Sequence, residues 1–513
     1  MKVNIADFDL RNMEINQAGE LAVRHGRTDY QNLRNPDGST LTSLSFDANK
    51  AFSVKSQFVD DIRFYILGAN RDATGALSGG DIFLMVLDET LDYRNRKQII
   101  NLGKYRNVRA LTSAVVNGQL IISSPDLPTL WGYTGSGVTF ARKQDSVNVT
   151  TETISIPNGI CVSWAGRCVI AKGEALFVSD PLAPRTYTAG GIVTLPGTVY
   201  GLHVGVNGEL IAVTGNGVYS LSSQAASQGQ NIIGSLQKLS SYRASSYECS
   251  ALTPNGLYGL TRRGVTRIDT DSSEEIIVSD GSYIRSLTEM INYPDYRVGK
   301  LFQTEKGLCL SIGDIDSDGD DDYTGGACMI DFHTGTKSWW TERAVTRIES
   351  VFKSREGDDV FLLRSATGTP PFTGRTKVAM FDKIGNTNEI PTTGYVSGIV
   401  ASDLEKSPVV RYVYMSANNG GLKSSCAVRG EKFRRNGTLQ EVVTKSNGIV
   451  IGTDFWADSM TDKRRYKTAE LVRSRFDFAK HTNDISLEVG IQGATARVRV
   501  LNLDIKGYGV NTA

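Results

Sequence analysis

Long apolar runs are missing from this sequence of 513 residues. No window approaches the roughly 18 uncharged apolar residues that a bilayer-crossing helix needs, so no such span is read. Cysteine is sparse and scattered, at Cys161, Cys168, Cys249, Cys309, Cys328 and Cys426, with no CxxC pair. In a chain this long that spacing argues against a disulfide framework and for reduced, mostly buried thiols. The four histidines, His25, His203, His333 and His481, lie far apart. No HxH, HExxH or Cys/His spacing is left to hold zinc. An excess of one charge is missing too: 56 Lys plus Arg face 55 Asp plus Glu. No overall field therefore steers the chain toward nucleic acid or membrane. The opening MKVNIADFDLRNMEINQ has no apolar run behind its early lysine, so no secretory leader is expected and the chain reads as soluble and intracellular when made.

Helical periodicity is nearly absent. The stretch SYIRSLTEMINY (282–293) reads as one short linking helix, with Ile284, Leu287 and Ile291 on one face. What is present is glycine, 52 of it, between short β-rich runs, which predicts an all-β protein. The length suggests two to four domains.

The runs repeat. VVNGQLIISS (115–124) returns as GVNGELIAVT (205–214), and the same grammar surrounds Asn158-Gly159 and Asn255-Gly256. Looser copies sit at Gly307 and Gly357. Successive corners are 41 to 51 residues apart, and Asn-Gly supplies the positive φ values of a tight hairpin. Three or four strands at that period describe a β-propeller blade, with one long β-sandwich as the competing arrangement. The expected fold is an all-β chain: a β-propeller over 46–390, followed by a C-terminal β-sandwich over 391–513. Six blades are read over 106–390, and a weaker copy starting near residue 46 would make a seventh. Residues 1–45 are read as strands packed with the C-terminal domain.

The tail differs in charge. Residues 391–513 carry 18 basic and 12 acidic side chains. The most basic run, DKRRYKTAELVRSR, makes Arg464, Arg465 and Lys467 candidates to face DNA, although a solvated β-face would look the same.

Chemistry is hard to find. There is no GxSxG elbow, P-loop or GxGxxG opening a helix, and the carboxylate boxes of sialidase-type propellers are missing, so no catalytic residue is assigned. The sharpest polar motif is GDIDSDGDDDYTGG (313–326), an insertion between two strands of one blade. Asp314, Asp316 and Asp318, with Gly319 for the turn, match the first half of a calcium loop, but position twelve is Gly325 instead of a bidentate glutamate. A solvated hairpin tip is the first reading and a structural calcium site the second.

Three phrases carry a family resemblance. NMEINQAGELAVRHG (12–26) is similar to the N-terminal strand pair of the tail-nozzle proteins of short-tailed bacteriophages, with His25 where that family has a proline. The family is also called tail tubular protein B or packaged-DNA stabilisation protein. VSWAGRCVIAKGEALFVSDPLAPRTY (162–187) and HVGVNGELIAVTGNGVYSL (203–221) resemble its propeller repeats, and DISLEVGIQGATARVRVLNLDIKGYG (484–509) its closing strands. The resemblance implies a structural virion protein, made in the host cytoplasm and built into the tail. Six copies would form a ring below the portal and adaptor proteins and extend the DNA exit channel. Contact with double-stranded DNA would be transient and non-specific, and the propellers would face tail fibres or tailspikes. A near-neutral chain suits a conduit, because grip on DNA grows with each phosphate neutralised. The alternatives are a monomeric propeller that binds a partner and, behind it, a propeller glycosidase.

Calcium is expected to raise the melting temperature by at most a few degrees. No shift with either calcium or a chelator would reduce Asp314, Asp316 and Asp318 to a solvated turn.

Overall fold

The computed structural model describes residues 9–15, 21–24 and 28–29, most of 47–381, and the strand backbones between 393 and 509. Residues 282–293, 313–325 and 461–471 lie outside the described residues. The expected helix, the Asp314, Asp316 and Asp318 loop and the Arg464, Arg465 and Lys467 run fall there.

Seven small antiparallel sheets follow one another and form a seven-bladed propeller. The described residues contain no helix. Blade 1 (47–104) is the weak copy seen in the sequence, and it is complete. Blades 2 to 6 span 112–139, 160–194, 199–240, 250–276 and 300–340. Blade 7 takes three strands, Arg347–Lys353, Asp359–Arg364 and Thr376–Met380. Its fourth is Thr28–Asp29 from the start of the chain, with Ala379 opposite Asp29 and Met380 opposite Thr28.

The second strand of each blade is buried on both faces and reads as a continuous apolar run. Leu120, Ile121 and Ile122 in blade 2 are typical, as are Leu308, Cys309 and Leu310 in blade 6. These strands supply apolar layers between neighbouring blades all the way round. Phe64 and Ile66 meet Phe352 and Leu362 where blade 1 closes on blade 7. Ring stacking adds to the layers, as between Tyr258 and Phe332 (centroids 5.1 Å apart).

The hairpin corners recur with one change of register. Asn117-Gly118 has φ of 50° and 71°, the geometry of a type I′ turn. In blade 3 the equivalent corner is Ala165-Gly166, at 49° and 71°. Asn158-Gly159, the corner expected from the repeat, precedes the blade's first strand, Ile160–Trp164. Its glycine answers a different need: a Cβ there would sit 1.9 Å from the Ala171 carbonyl oxygen.

The chain's start is stitched to both lobes. Asp9–Arg11 pairs in parallel with the outer strand of blade 6, Thr336–Trp340, and antiparallel with Thr393–Val400. One nine-stranded sheet therefore runs from blade 6 into the C-terminal strands. The hairpin Met13–Ile15 and Leu21–Val23 adds Arg497–Val498. Arg24 is buried, its guanidinium 5.0 Å from the Trp340 ring centre and 5.5 Å from that of Phe381. A second C-terminal sheet joins Val472–His481, Pro408–Ala417 and Leu501–Gly509.

Ala165 is exposed and held in a left-handed conformation that costs an L-residue about 1–2 kcal/mol. Ala165→Asn, which tolerates that conformation, is expected to raise unfolding stability by about 1 kcal/mol, read from the urea midpoint.

Candidate functional site

First strands of neighbouring blades touch one another at every junction but that of blades 1 and 2, and they line the axis. Each leaves one edge without a strand partner, and hydroxyls from the adjoining blade satisfy part of it. Cys161 N–H donates to Thr112 Oγ1 at 2.7 Å, Ala51 N–H to Ser350 Oγ at 2.9 Å and Ile348 N–H to Ser311 Oγ at 3.0 Å. Short polar side chains are therefore required where two blades converge.

Charges cluster where the blades meet. Lys50 on blade 1 donates to Glu248, which precedes blade 5, so this pair spans the ring. Lys300 on blade 6 lies 2.8 Å from Glu349 Oε2 on blade 7 and 3.5 Å from Glu248 Oε2. Lys50, Lys300 and Glu349 are buried, whereas the Glu248 side chain keeps 20% of its exposure. Glu248 sits at φ 61°, and its carbonyl accepts a 2.8 Å bond from Leu301 N–H. A non-glycine residue held at positive φ by surrounding bonds marks a place where neighbours dictate the backbone. Burial lowers the Lys50 pKa to about 8, against the pull of Glu248.

Beside this cluster Tyr247 meets the Tyr200 ring edge to face, with centroids 5.3 Å apart. Arg109 lies 5.3 Å from the Tyr247 ring centre and makes a forked bond to Asp126 at 2.8 and 3.0 Å. His203 Nε2 is 3.0 Å from Ser250 Oγ, and burial pushes its pKa down to about 4, so the imidazole is neutral at physiological pH. A sequence scan for motifs could not find these groups. They come from six blades or their connections, and apart from Tyr200 with His203 and the run Tyr247, Glu248 and Ser250 they are far apart in the chain.

Two lysines balance two glutamates here, with each carboxylate held by an ammonium group. The arrangement ties blades 1, 5, 6 and 7 across the axis. A lysine near pH 8 has the acidity of an imine-forming residue, but its Nζ is directed at Glu248. Among the described residues no three His, Cys, Asp or Glu side chains gather as a metal site. The five described cysteines are buried free thiols.

A cleft of about 420 Å3 opens between blades 4 and 5, away from these charges. Apolar residues, among them Ile211, Leu239, Leu252 and Leu257, form most of its lining, with Glu209 and Arg267 as its charged members.

No known protein family and no curated protein matches the sequence. Among solved structures, the chain is similar to BBS1N in complex with ARL6DN at TM-score 0.38 and 9% identity, covering 72% of this chain and 100% of that one. PorZ of the type-IX secretion system of Porphyromonas gingivalis gives 0.37 and 11%, covering 78% and 46%. YCF48 bound to D1 peptide gives 0.34 and 10%, covering 67% and 97%. Identity at this level says nothing of shared function.

Glu248→Gln leaves two buried ammonium groups with one carboxylate and is expected to cost about 3–5 kcal/mol in urea unfolding. In the unchanged protein Lys50 is more acidic folded than unfolded, so the unfolded chain binds more protons between about pH 8 and 10.5. Its unfavourable contribution is full below pH 8 and fades as pH rises through that window. Lys50→Met should flatten the rise in stability over the same range.

Proposed function

We propose that this chain works by binding, as a rigid propeller module that presents its faces to a macromolecular partner. The observation that carries the reading is the axial cluster, where Lys50, Glu248, Lys300 and Glu349 are spent on one another across the ring. Charges committed in that way hold blades together and leave recognition to the outer faces and the clefts between blades. Propellers offer broad, stiff surfaces for such docking.

A second reading places the module in a phage tail nozzle, where six copies would form a ring beneath the portal and adaptor. It rests on the sequence resemblance, and two of the segments that carry the resemblance are neighbours in the fold. Leu21 and Ala22 from the first lie opposite Val498 and Arg497 from the last. Under this reading the partners are the neighbouring copies, the adaptor, and fibres or tailspikes, and the protein resides in the virion.

Mass photometry of the purified 55.8 kDa chain separates the two. A lasting monomer, alone and with a phage adaptor protein, is expected of the independent module. Rings of about six copies would favour the nozzle. Turnover of a glycan panel that disappears in Glu248→Gln would overturn the binding reading in both forms.

A further inference from the structure

The cleft between blades 4 and 5 keeps two opposite charges apart. Glu209 stands just after the corner between the first two strands of blade 4, whose first strand ends at Val204. Its Oε2 is buried and has no hydrogen-bond partner among the described residues. Its carboxylate lies against the Gly205 backbone, where a Cβ would come within 2.1 Å of Oε1. Only glycine leaves room for the carboxylate to fold back in this way. Arg267, on the third strand of blade 5, also lines the cleft and makes no ion pair among the described residues. Between them the lining is apolar, with Ile211, Leu239, Leu252 and Leu257.

A buried acceptor without a donor costs free energy that an incoming donor recovers. The same cleft offers a guanidinium suited to a carboxylate, and apolar surface between the two. Its volume of about 420 Å3 falls within the usual range for ligand sites. Opposite charges with apolar surface between them complement a polypeptide segment, which carries basic, apolar and acidic side chains in succession. Val206 stands at the lip with 92% of its surface exposed, next to the exposed Asn207 and Gly208.

We infer that this cleft binds a segment of another polypeptide in which a basic and an acidic side chain flank apolar ones. The basic group donates to Glu209, the acidic group accepts from Arg267, and the apolar residues cover Leu252 and Leu257. The inference rests on the binding-module reading and adds to it the place and the chemistry of the partner.

The test is a random octapeptide display library panned on the full chain, in parallel with the Glu209→Gln/Arg267→Gln variant. The expected result is enrichment of peptides with a basic–apolar–acidic order on the unchanged chain alone. A synthetic peptide of that consensus should lose at least tenfold in affinity with either single substitution. Glu209→Lys should instead select an acidic residue at the basic position. Val206→Asp, at an exposed lip where folding is not at stake, should also weaken binding several-fold. No enrichment, enrichment without charged positions, or binding indifferent to Glu209 and Arg267 would each overturn the assignment. Glycan turnover in the preceding assay would remove the module reading and leave this peptide measurement intact, so the two failures are distinct.

Discussion

Everything in the propeller depends on apolar layers that each sheet shares with two neighbours. A four-stranded sheet alone would expose both faces of its second strand, such as Leu210 to Val213 in blade 4. Each such side chain gains about 1.5–3 kcal/mol when fully buried, and only a neighbour on either side provides that burial. A linear row of blades would leave two faces wet. Closure removes them, and the short pairing of Thr28–Asp29 with blade 7 supplies that blade's fourth strand from the other end of the chain. Arg24 reinforces the latch by packing its cation among Trp340 and Phe381, where an aromatic wall substitutes for water.

Closure has a cost at the middle. Where seven first strands converge, backbone edges and long side chains lose solvent together. Hydroxyls answer the backbone, and alternating lysine and glutamate answer one another. Glu248 sits between two ammonium groups, in a backbone conformation that its own side chain does not favour. The desolvation of four charges is offset only when all four are present, which is why losing one is costly even though a buried set of this kind adds little net stability. Outside that cluster, Glu209 and Arg267 line the cleft between blades 4 and 5 without pairing with each other.

Much of the fold was legible in the sequence. The tight corners repeat because a two-residue hairpin demands positive φ, and Asn117-Gly118 announces itself by composition. Ala165-Gly166 adopts the same geometry with a residue that gives no such sign, so composition points to Asn158-Gly159 instead. Blade 1 was faint because its corner falls between Lys55 and Ile62 without an Asn-Gly pair. Its better mark is the apolar run Phe64 to Leu67, which matches the buried second strand of every other blade. The axial cluster was not legible at all. Lys50 and Glu248 are 198 positions apart, and nothing local distinguishes them from surface charges. Glu209 is equally plain in the sequence, since its meaning comes from the facing wall of blade 5.

The order of synthesis runs against the order of closure. The strands Asp9–Arg11, Leu21–Val23 and Thr28–Asp29 are made before the blades, yet they pair with residues 338–339, 379–380, 395–397 and 497–498. These strands must wait for those partners until most of the polypeptide has emerged. Contacts of such long sequence separation slow folding and leave edges open in the interval. A nascent chain halted after blade 5 would therefore lack all of these partners and hold an open arc of sheets with wet apolar faces and free strand edges.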